Sequence, residues 1–295
     1  LSDQIGFAGL GVMGLPMALN LRRAGHSVRG FNRSSRGRDE FSASGGELAG
    51  SIGELAAECT VVFAMLSDDA AVEEAVLGPD GIVRSARPGT LLIDCSTVSP
   101  ATARRTDALA AERGLLTVDA PVSGGEEGAR TGTLSAMVGG SAEAVRRARP
   151  YLDAVAGTVT HVGPPGAGQL VKAANQVMVA GHLLVLGEAL QLLSGSSVDT
   201  AAALSALRGG LAQSAVLDRK AERMLAREFA PGFRIRLQHK DIRIALGVAE
   251  ECNAPVPLTA LAAQFLAGAM SAGLGEHDHA ALGLVPGLLA GHAPE

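Results

Sequence analysis

The sequence predicts an α/β domain with a doubly wound, mainly parallel sheet, followed by an all-α domain, with a long helix joining them. Three observations carry this reading. Over the first half of the 295 residues, short apolar runs alternate with amphipathic stretches. A Gly-rich turn separates the first apolar run from the first amphipathic stretch. From Gly166 onward the pattern is helical nearly to the end. Strands alternating with helices imply βαβ units whose helices cover both faces of a sheet.

The elements follow in order. "IGFAG" (5–9) reads as a short buried strand and "MGLPMALNLRRAG" (13–25) as a helix. "HSVRGF" (26–31), "TVVFAML" (60–66), "TLLIDCS" (90–96), "LLTVDAPV" (115–122) and "TLSAMVGG" (133–140) are further strands. "SPATARRTDALAAERG" (99–114) is a helix with Ser99 as N-cap and Gly114 just past its end. In the second half, 167–193 forms one helix about 40 Å long. It is apolar on nearly every face, so it needs neighbours all round, which suggests a partner subunit. Breaks fall at "SGSSVD" (194–199), "APG" (230–232), "NAPVP" (253–257) and "GLGEHD" (273–278). The boundary lies near "HVGPPGAG" (161–168), dividing the chain into 1–163 and 164–295.

Composition narrows the classes. Hydrophobic residues make up 47%, yet there is one Tyr and no Trp, so the core must be small aliphatic side chains packed closely with help from 38 glycines. A net charge of −5 provides no basic field for a phosphate backbone, which argues against nucleic acid. Cys59, Cys95 and Cys252 are far apart and form no CxxC pair, so neither a disulfide framework nor a zinc knuckle is expected. The run "VMVAGHLLVL" (177–186) is too short to span a bilayer. The chain enters a strand-like segment at once, with no secretory signal visible, so a cytoplasmic protein is expected.

"GFAGLGVMG" (6–14) sets Gly9, Gly11 and Gly14 in G-x-G-x-x-G spacing, with Leu10, Val12 and Met13 between them. The first glycine allows a tight turn, the second lets the backbone approach a pyrophosphate, and the third lets the helix pack on the strand. The helix start then offers N–H groups to the phosphates. The competing reading is a Gly-rich turn without a ligand. The motif follows a strand, opens a helix and precedes another strand, which points to a dinucleotide. At the end of the second strand, "GFNRSS" (30–35) carries Asn32, Arg33 and Ser34 where an NAD enzyme usually has Asp or Glu. A neutral amide and a planar guanidinium suit a 2′-phosphate, so NADP(H) is expected over NAD(H) unless Arg33 is simply a solvated cation.

Two later strand ends carry polar groups where such sheets gather ligands: Ser96 and Thr97, then Ser123, Gly124 and Gly125. A hydroxyl followed by two glycines can present N–H groups to a carboxylate, although the same residues serve ordinary turns. Lys172, in "GAGQLVKAANQ" (166–176), is a lone cation in an apolar helix, with Asn175 on its face at i+3. Hydride delivery to a carbonyl leaves an alkoxide that needs a proton, and an ammonium can give it. A lysine snorkelling to water is the competing reading. "QHKDIRIAL" (238–246) places Lys240 and Asp241 at the start of an amphipathic helix, where Lys240 serves either a ligand or a surface ion pair. "EHDH" (276–279) has Asp278 as a capping residue with His277 and His279 diverging, so no metal is expected.

Together "GFAGLGVMGLPMALNL", "DCSTVSP", "DAPVSGGEEGARTGTLSAMVGG", "GPPGAGQLVKAANQ" and "QHKDIRIAL" resemble the β-hydroxyacid dehydrogenase family over nearly the whole chain. "RGGLAQSAVLDRKAERMLAREFAPGFRIRLQHKD", "PLTA" and "GLGEHDHAAL" are most similar to its semialdehyde reductase branch. The resemblance implies a Rossmann domain joined by a long helix to an all-helical domain, with dimers or tetramers formed through the helices. It implies Lys172 as acid/base, and Ser123, Gly124 and Gly125 on the substrate carboxylate with Asn175 orienting the substrate. It also implies Thr97 near the nicotinamide, Lys240 on the cofactor, and Met65 and Leu66 on the adenosine side. The implied reaction interconverts a short β-hydroxy acid and its semialdehyde, with tartronate semialdehyde to glycerate first. Related acids (3-hydroxyisobutyrate, threonate, serine), an imine reductase, or a non-catalytic NADP-binding module are the alternatives. Asn175-Gln176 departs from the two consecutive asparagines of many relatives, and Asn32-Arg33 from the aspartate of many 3-hydroxyisobutyrate enzymes. Imine reductases typically lack a lysine at position 172.

Overall fold

A computed structural model describes residues 3–194 and 196–285. The apolar runs of the first half pair into one sheet. Its strands are β1 (Gln4–Ala8), β2 (Ser27–Phe31), β3 (Glu47–Leu48), β4 (Val61–Ala64), β5 (Leu91–Asp94), β6 (Leu116–Asp119), β7 (Val122–Ser123), β8 (Leu134–Gly140) and β9 (Ala156–Gly163). The order is β3-β2-β1-β4-β5-β6-β8-β7, with β9 on β8. β1 to β6 are parallel to one another, whereas β8 runs antiparallel to β6 and β7. The first six strands thus follow the 3-2-1-4-5-6 order of a doubly wound sheet, whose ligands lie beyond the carboxyl ends of the strands.

β4 and β5 are buried at every position, because helices cover both faces of a parallel sheet. The pleat sorts their side chains. Val61, Phe63, Leu91 and Ile93 join Ile5 and Phe7 in one core cluster, and Val62, Ala64 and Leu92 join Ala8 in another. Phe7 and Phe63 stack at 5.5 Å between ring centroids. The helix Pro100–Ala111 is capped by Ser99, whose side chain accepts from Thr102 N. β3 and β9 carry no long apolar run. β9 is exposed at Gly157, Thr158, Thr160 and His161, and its Thr and His side chains are what an edge strand tolerates.

Packing divides the chain into Leu1–Lys172 and Ala173–Glu295. The division falls inside the helix Ala167–Ser194, later than the Pro-Pro-Gly loop at which the sequence pattern changes. The reason is local: the first turn of this helix is tied to β6. Asp119 Oδ1 accepts from Gly166 N at 2.8 Å and Oδ2 from Gln169 N at 3.0 Å. Gly168 is so close to β8 that a Cβ would lie 2.4 Å from the Met137 carbonyl oxygen.

In the second unit the long helix continues, followed by Thr200–Arg208, Ala215–Leu225, Ile235–Glu251 and Pro257–Ser271. Leu183, Leu204, Leu217, Ile242, Leu266 and Leu282 belong to its core. Two boundaries differ from the sequence reading. A break at 209–214 separates two helices. Lys240 and Asp241 are not at a helix start, because that helix already begins at Ile235. Asp278 explains the earlier start: its Oδ2 accepts from Gly232 N and Phe233 N at 2.9 and 3.1 Å, holding the preceding loop. Burial alone would raise the Asp278 pKa, but the Lys220 ammonium at 2.8 Å and the neighbouring His279 outweigh it and bring it to about 2. The same residue caps the 3-10 helix His279–Leu284.

Candidate active site

The Gly-rich turn closes against two neighbouring strands. Gly9 N donates to the Phe31 carbonyl at 2.9 Å and has φ +101, a left-handed value that favours glycine. A Cβ on Gly9 would lie 2.2 Å from the Met65 carbonyl oxygen, and one on Gly14 would lie 1.8 Å from the Gly9 carbonyl oxygen. Gly11 differs: nothing lies within 4 Å of its Cβ position. Space on that side, beside a helix start whose N-cap Met13 makes no side-chain hydrogen bond, is what a pyrophosphate requires. Leu10 buries its side chain, Val12 is exposed and Met13 half-buried.

Asn32 does more than leave the second strand end uncharged. Its Oδ1 accepts from Leu10 N at 3.0 Å, and its Nδ2 donates to the Ser34 carbonyl and hydroxyl at 3.1 and 2.9 Å. It therefore ties the Gly-rich turn to the segment that carries Arg33. The Arg33 side chain is 82% exposed and sits 3.4 Å from Glu74. Sequence reasoning missed Gly37, where a Cβ would lie 1.9 Å from the Leu10 carbonyl oxygen. A glycine inside a polar helix just after the acidic-residue position is the signal that could have found it.

The end of β5 is held from several sides. Leu66 N donates to Ser96 Oγ at 2.9 Å, and Ser96 N donates to Asp94 Oδ1 at 2.9 Å. Gln169 reaches the same segment, donating from Nε2 to the Ser96 carbonyl at 2.8 Å and accepting at Oε1 from Val98 N at 3.1 Å. Thr97, half-buried, lies between these two bonds. Asp94 and Asp119 are register partners on adjacent parallel strands, so their side chains share a face. Burial pushes each carboxyl up to about 6, against the backbone N–H bonds each accepts; the Asp119 charge also raises Asp94. Beside them a cavity of about 10 Å³ is lined by Asp94, Asp119, Thr106, Thr117 and Pro165, and the buried Thr106 hydroxyl makes no hydrogen bond.

Lys172 is 6% exposed, so the snorkelling alternative does not hold. Its Nζ donates to the Val122 carbonyl at 2.7 Å. Val122 immediately precedes Ser123, Gly124 and Gly125, so the structure brings the lysine to the root of this polar loop. Gly124 and Gly125 have φ +139 and +66, and nothing lies within 4 Å of a Cβ on Gly125.

The second unit gathers the other predicted residues. Asn175 Nδ2 donates to Gln176 Oε1 at 2.8 Å, and Gln176 Nε2 donates to Asp241 Oδ2 at 2.5 Å. Asp241 Oδ1 pairs with Lys240 Nζ at 3.0 Å. Asn175 and Lys240 are thus linked through Gln176 and a buried carboxylate, neither of which the sequence reading placed in a site. Lys240 does form an ion pair, but with a buried partner. Among the described residues, no group of three or more His, Cys, Asp or Glu side chains is arranged to hold a metal ion.

Known proteins resemble this chain over nearly its whole length. The profile for the NAD binding domain of 6-phosphogluconate dehydrogenase matches residues 4–163. That for the NAD-binding domain of NADP-dependent 3-hydroxyisobutyrate dehydrogenase matches residues 166–285. The chain is 36% identical to 2-(hydroxymethyl)glutarate dehydrogenase of Eubacterium barkeri over 95% of its length and 94% of that protein. It is 37% identical to 2-hydroxy-3-oxopropionate reductase of Escherichia coli over 98% of its length and 99% of that protein. A solved structure of Mycobacterium tuberculosis 3-hydroxyisobutyrate dehydrogenase with L-serine matches with a TM-score of 0.87 at 34% identity, covering 98% of this chain and 99% of that one.

Proposed function

We propose a specific reaction for this chain, which belongs to the β-hydroxyacid dehydrogenase family and is an NAD(P)-dependent enzyme acting on CH–OH groups: reduction of 2-hydroxy-3-oxopropionate (tartronate semialdehyde) to glycerate with NADPH. The observation that carries the chemistry is the buried Lys172 ammonium, held 2.7 Å from the Val122 carbonyl beside the Ser123 loop. A bound nicotinamide nucleotide supplies the hydride. Lys172 gives a proton to the oxygen that becomes the alcohol, and in the reverse direction its amine takes that proton. The Ser123, Gly124 and Gly125 segment holds the substrate carboxylate and Asn175 orients the substrate, so the β-carbon is aligned before reaction. Because an ammonium meets the developing alkoxide, the reaction requires no metal.

For the cofactor, Gly9, Leu10, Gly11, Val12, Met13 and Gly14 hold the pyrophosphate. Met65 and Leu66 would line the adenosine side, Thr97 would sit near the nicotinamide end, and Lys240 would contact the cofactor. Asn32, Arg33 and Ser34 favour a 2′-phosphate, since no carboxylate stands at that strand end. The choice of acid rests on likeness to the Escherichia coli reductase; serine and 3-hydroxyisobutyrate are the nearest competitors. Retention of Lys172, Ser123 and Asn175 together speaks against a non-catalytic cofactor-binding module, and Lys172 against imine reduction.

The protein acts as a cytoplasmic homo-oligomer. Val171, Met178, Val185 and Leu192 are exposed at seven-residue spacing along the long helix, an apolar stripe that suits a second copy. This helix is long and apolar enough to cross a membrane, but Gln169, Lys172 and Gln176 on it are buried and hydrogen-bonded within protein, which argues for protein neighbours. The test is NADPH consumption across a panel of semialdehydes and hydroxy acids, repeated with NADH. Lys172→Ala should leave less than a few per cent of turnover, on the scale of a lost acid/base group, with NADPH affinity nearly intact. Substantial residual activity removes the assignment, and equal use of NADH removes the coenzyme preference.

A further inference from the structure

Gln169 is 1% exposed and lies three residues before Lys172 on the same helix. Its side-chain amide is committed at both ends to a single segment: Oε1 to Val98 N at 3.1 Å, Nε2 to the Ser96 carbonyl at 2.8 Å. These bonds bracket Thr97. The amide orientation is forced, since a backbone N–H can only donate and a carbonyl only accept. Gln169 N is itself held by Asp119 Oδ2 at 3.0 Å, so the base of the fork is fixed too.

We infer that Gln169 is a positioning residue that keeps Thr97 in register with Lys172, aligning the cofactor end of the site with the proton donor. This rests on the proposed role of Lys172. The chemistry admits few substitutes. Glutamate has the same shape but no donor, and it would set a carboxylate oxygen against the Ser96 carbonyl. Asparagine is one methylene too short to reach both partners. A purely structural Gln169 would lower stability and leave the folded fraction with normal turnover; a positioning one lowers turnover in protein that is still folded.

The experiment compares Gln169→Glu, Gln169→Ala, Thr97→Ala and Thr97→Ala/Gln169→Ala with the wild type and Lys172→Ala. Steady-state kinetics are measured with NADPH and whichever acid the panel selects, NADPH binding by fluorescence, and folding by circular dichroism. In both Gln169 variants kcat is expected to fall about 10- to 100-fold, the scale of a small misplacement of reacting groups, with KM and NADPH affinity changed by less than about threefold. Adding Gln169→Ala to Thr97→Ala should cost much less than it does alone, because both act on one segment. Folded Gln169→Glu with wild-type kcat, or fully additive losses, overturns the inference. If the Gln169 variants do not fold, Asp119→Asn decides: it keeps one acceptor oxygen and should show the same split at smaller size, and an unchanged kcat there overturns it. Activity surviving in Lys172→Ala removes the acid/base reading instead, so the two failures are distinct.

Discussion

Two helices of the proposed site begin in opposite ways. The helix Gly14–Arg23 has Met13 at its N-cap, with no side chain accepting from its first turn. The helix Ala167–Ser194 starts under the buried Asp119 carboxylate, which takes Gly166 N and Gln169 N. The first keeps its partial positive charge for an anion from outside; the second has it answered from within. Other helices of the first unit show that self-capping is readily available: Ser51, Asp68, Ser99 and Ser141 each accept from their own first turn. A missing cap alone does not mark a site, since Gly81 is uncapped as well. What distinguishes the first helix start is the open space at Gly11 next to it. A ligand-binding start must stay unfinished, and a start that carries a proton donor gains from being finished.

The contrast breaks most severely at Gly14. A Cβ there would lie 1.8 Å from the Gly9 carbonyl oxygen, with both groups on backbone. Gly14→Ala is expected to cost at least about 3 kcal/mol and to abolish NADPH binding, read by denaturant melts and fluorescence titration. A variant with native stability and affinity would mean that the turn can shift freely.

Asp94, the register partner of the capping Asp119, is a buried carboxyl with its own cost, and pH should reveal it. Asp94 is raised from 3.8 to about 6, first by burial and then by the neighbouring Asp119 charge, against its bonds with Ser96. An acid whose folded pKa is raised favours folding most below its unfolded value, and that advantage is lost as pH rises through the folded one. The wild type should therefore lose stability between about pH 4 and pH 6 through this group. Asp94→Asn keeps an acceptor for Ser96 N and removes the ion. It should be stabilised relative to the wild type by about 3 kcal/mol at pH 8, with the difference shrinking toward pH 4. A difference independent of pH would show that the carboxyl ionises normally.

Sequence alone reached the strands buried on both faces, because β4 and β5 read as unbroken apolar runs. It reached Gly9, Gly11, Gly14 and Lys172, because each stands out within a few residues of its neighbours. It did not reach β9, whose exposed polar residues resemble a loop. Nor did it reach Gln169, whose partner Val98 is 71 positions away, or the capping role of Asp119, 50 positions from Gln169. Spacing rules see local periodicity, whereas these contacts arise only once β5, β6 and the long helix are side by side. The start of the helix Ile235–Glu251 was misjudged for the same reason, since Asp278 fixes the preceding loop from some 45 positions downstream.

The sharpest test of the contrast is also its smallest effect. Gly11 has no atom within 4 Å of its Cβ position, so an added methyl strains nothing in the free protein. It intrudes only where a pyrophosphate would approach the backbone. Gly11→Ala is thus expected to melt within about 0.5 kcal/mol of the wild type yet bind NADPH about tenfold more weakly, or about 1.4 kcal/mol. Gly14→Ala should lose fold and binding together; Gly11→Ala should separate them. Equal affinity in Gly11→Ala and the wild type would mean that the cofactor does not approach the turn at this point. The open start of the first helix would then have to be explained without a bound phosphate.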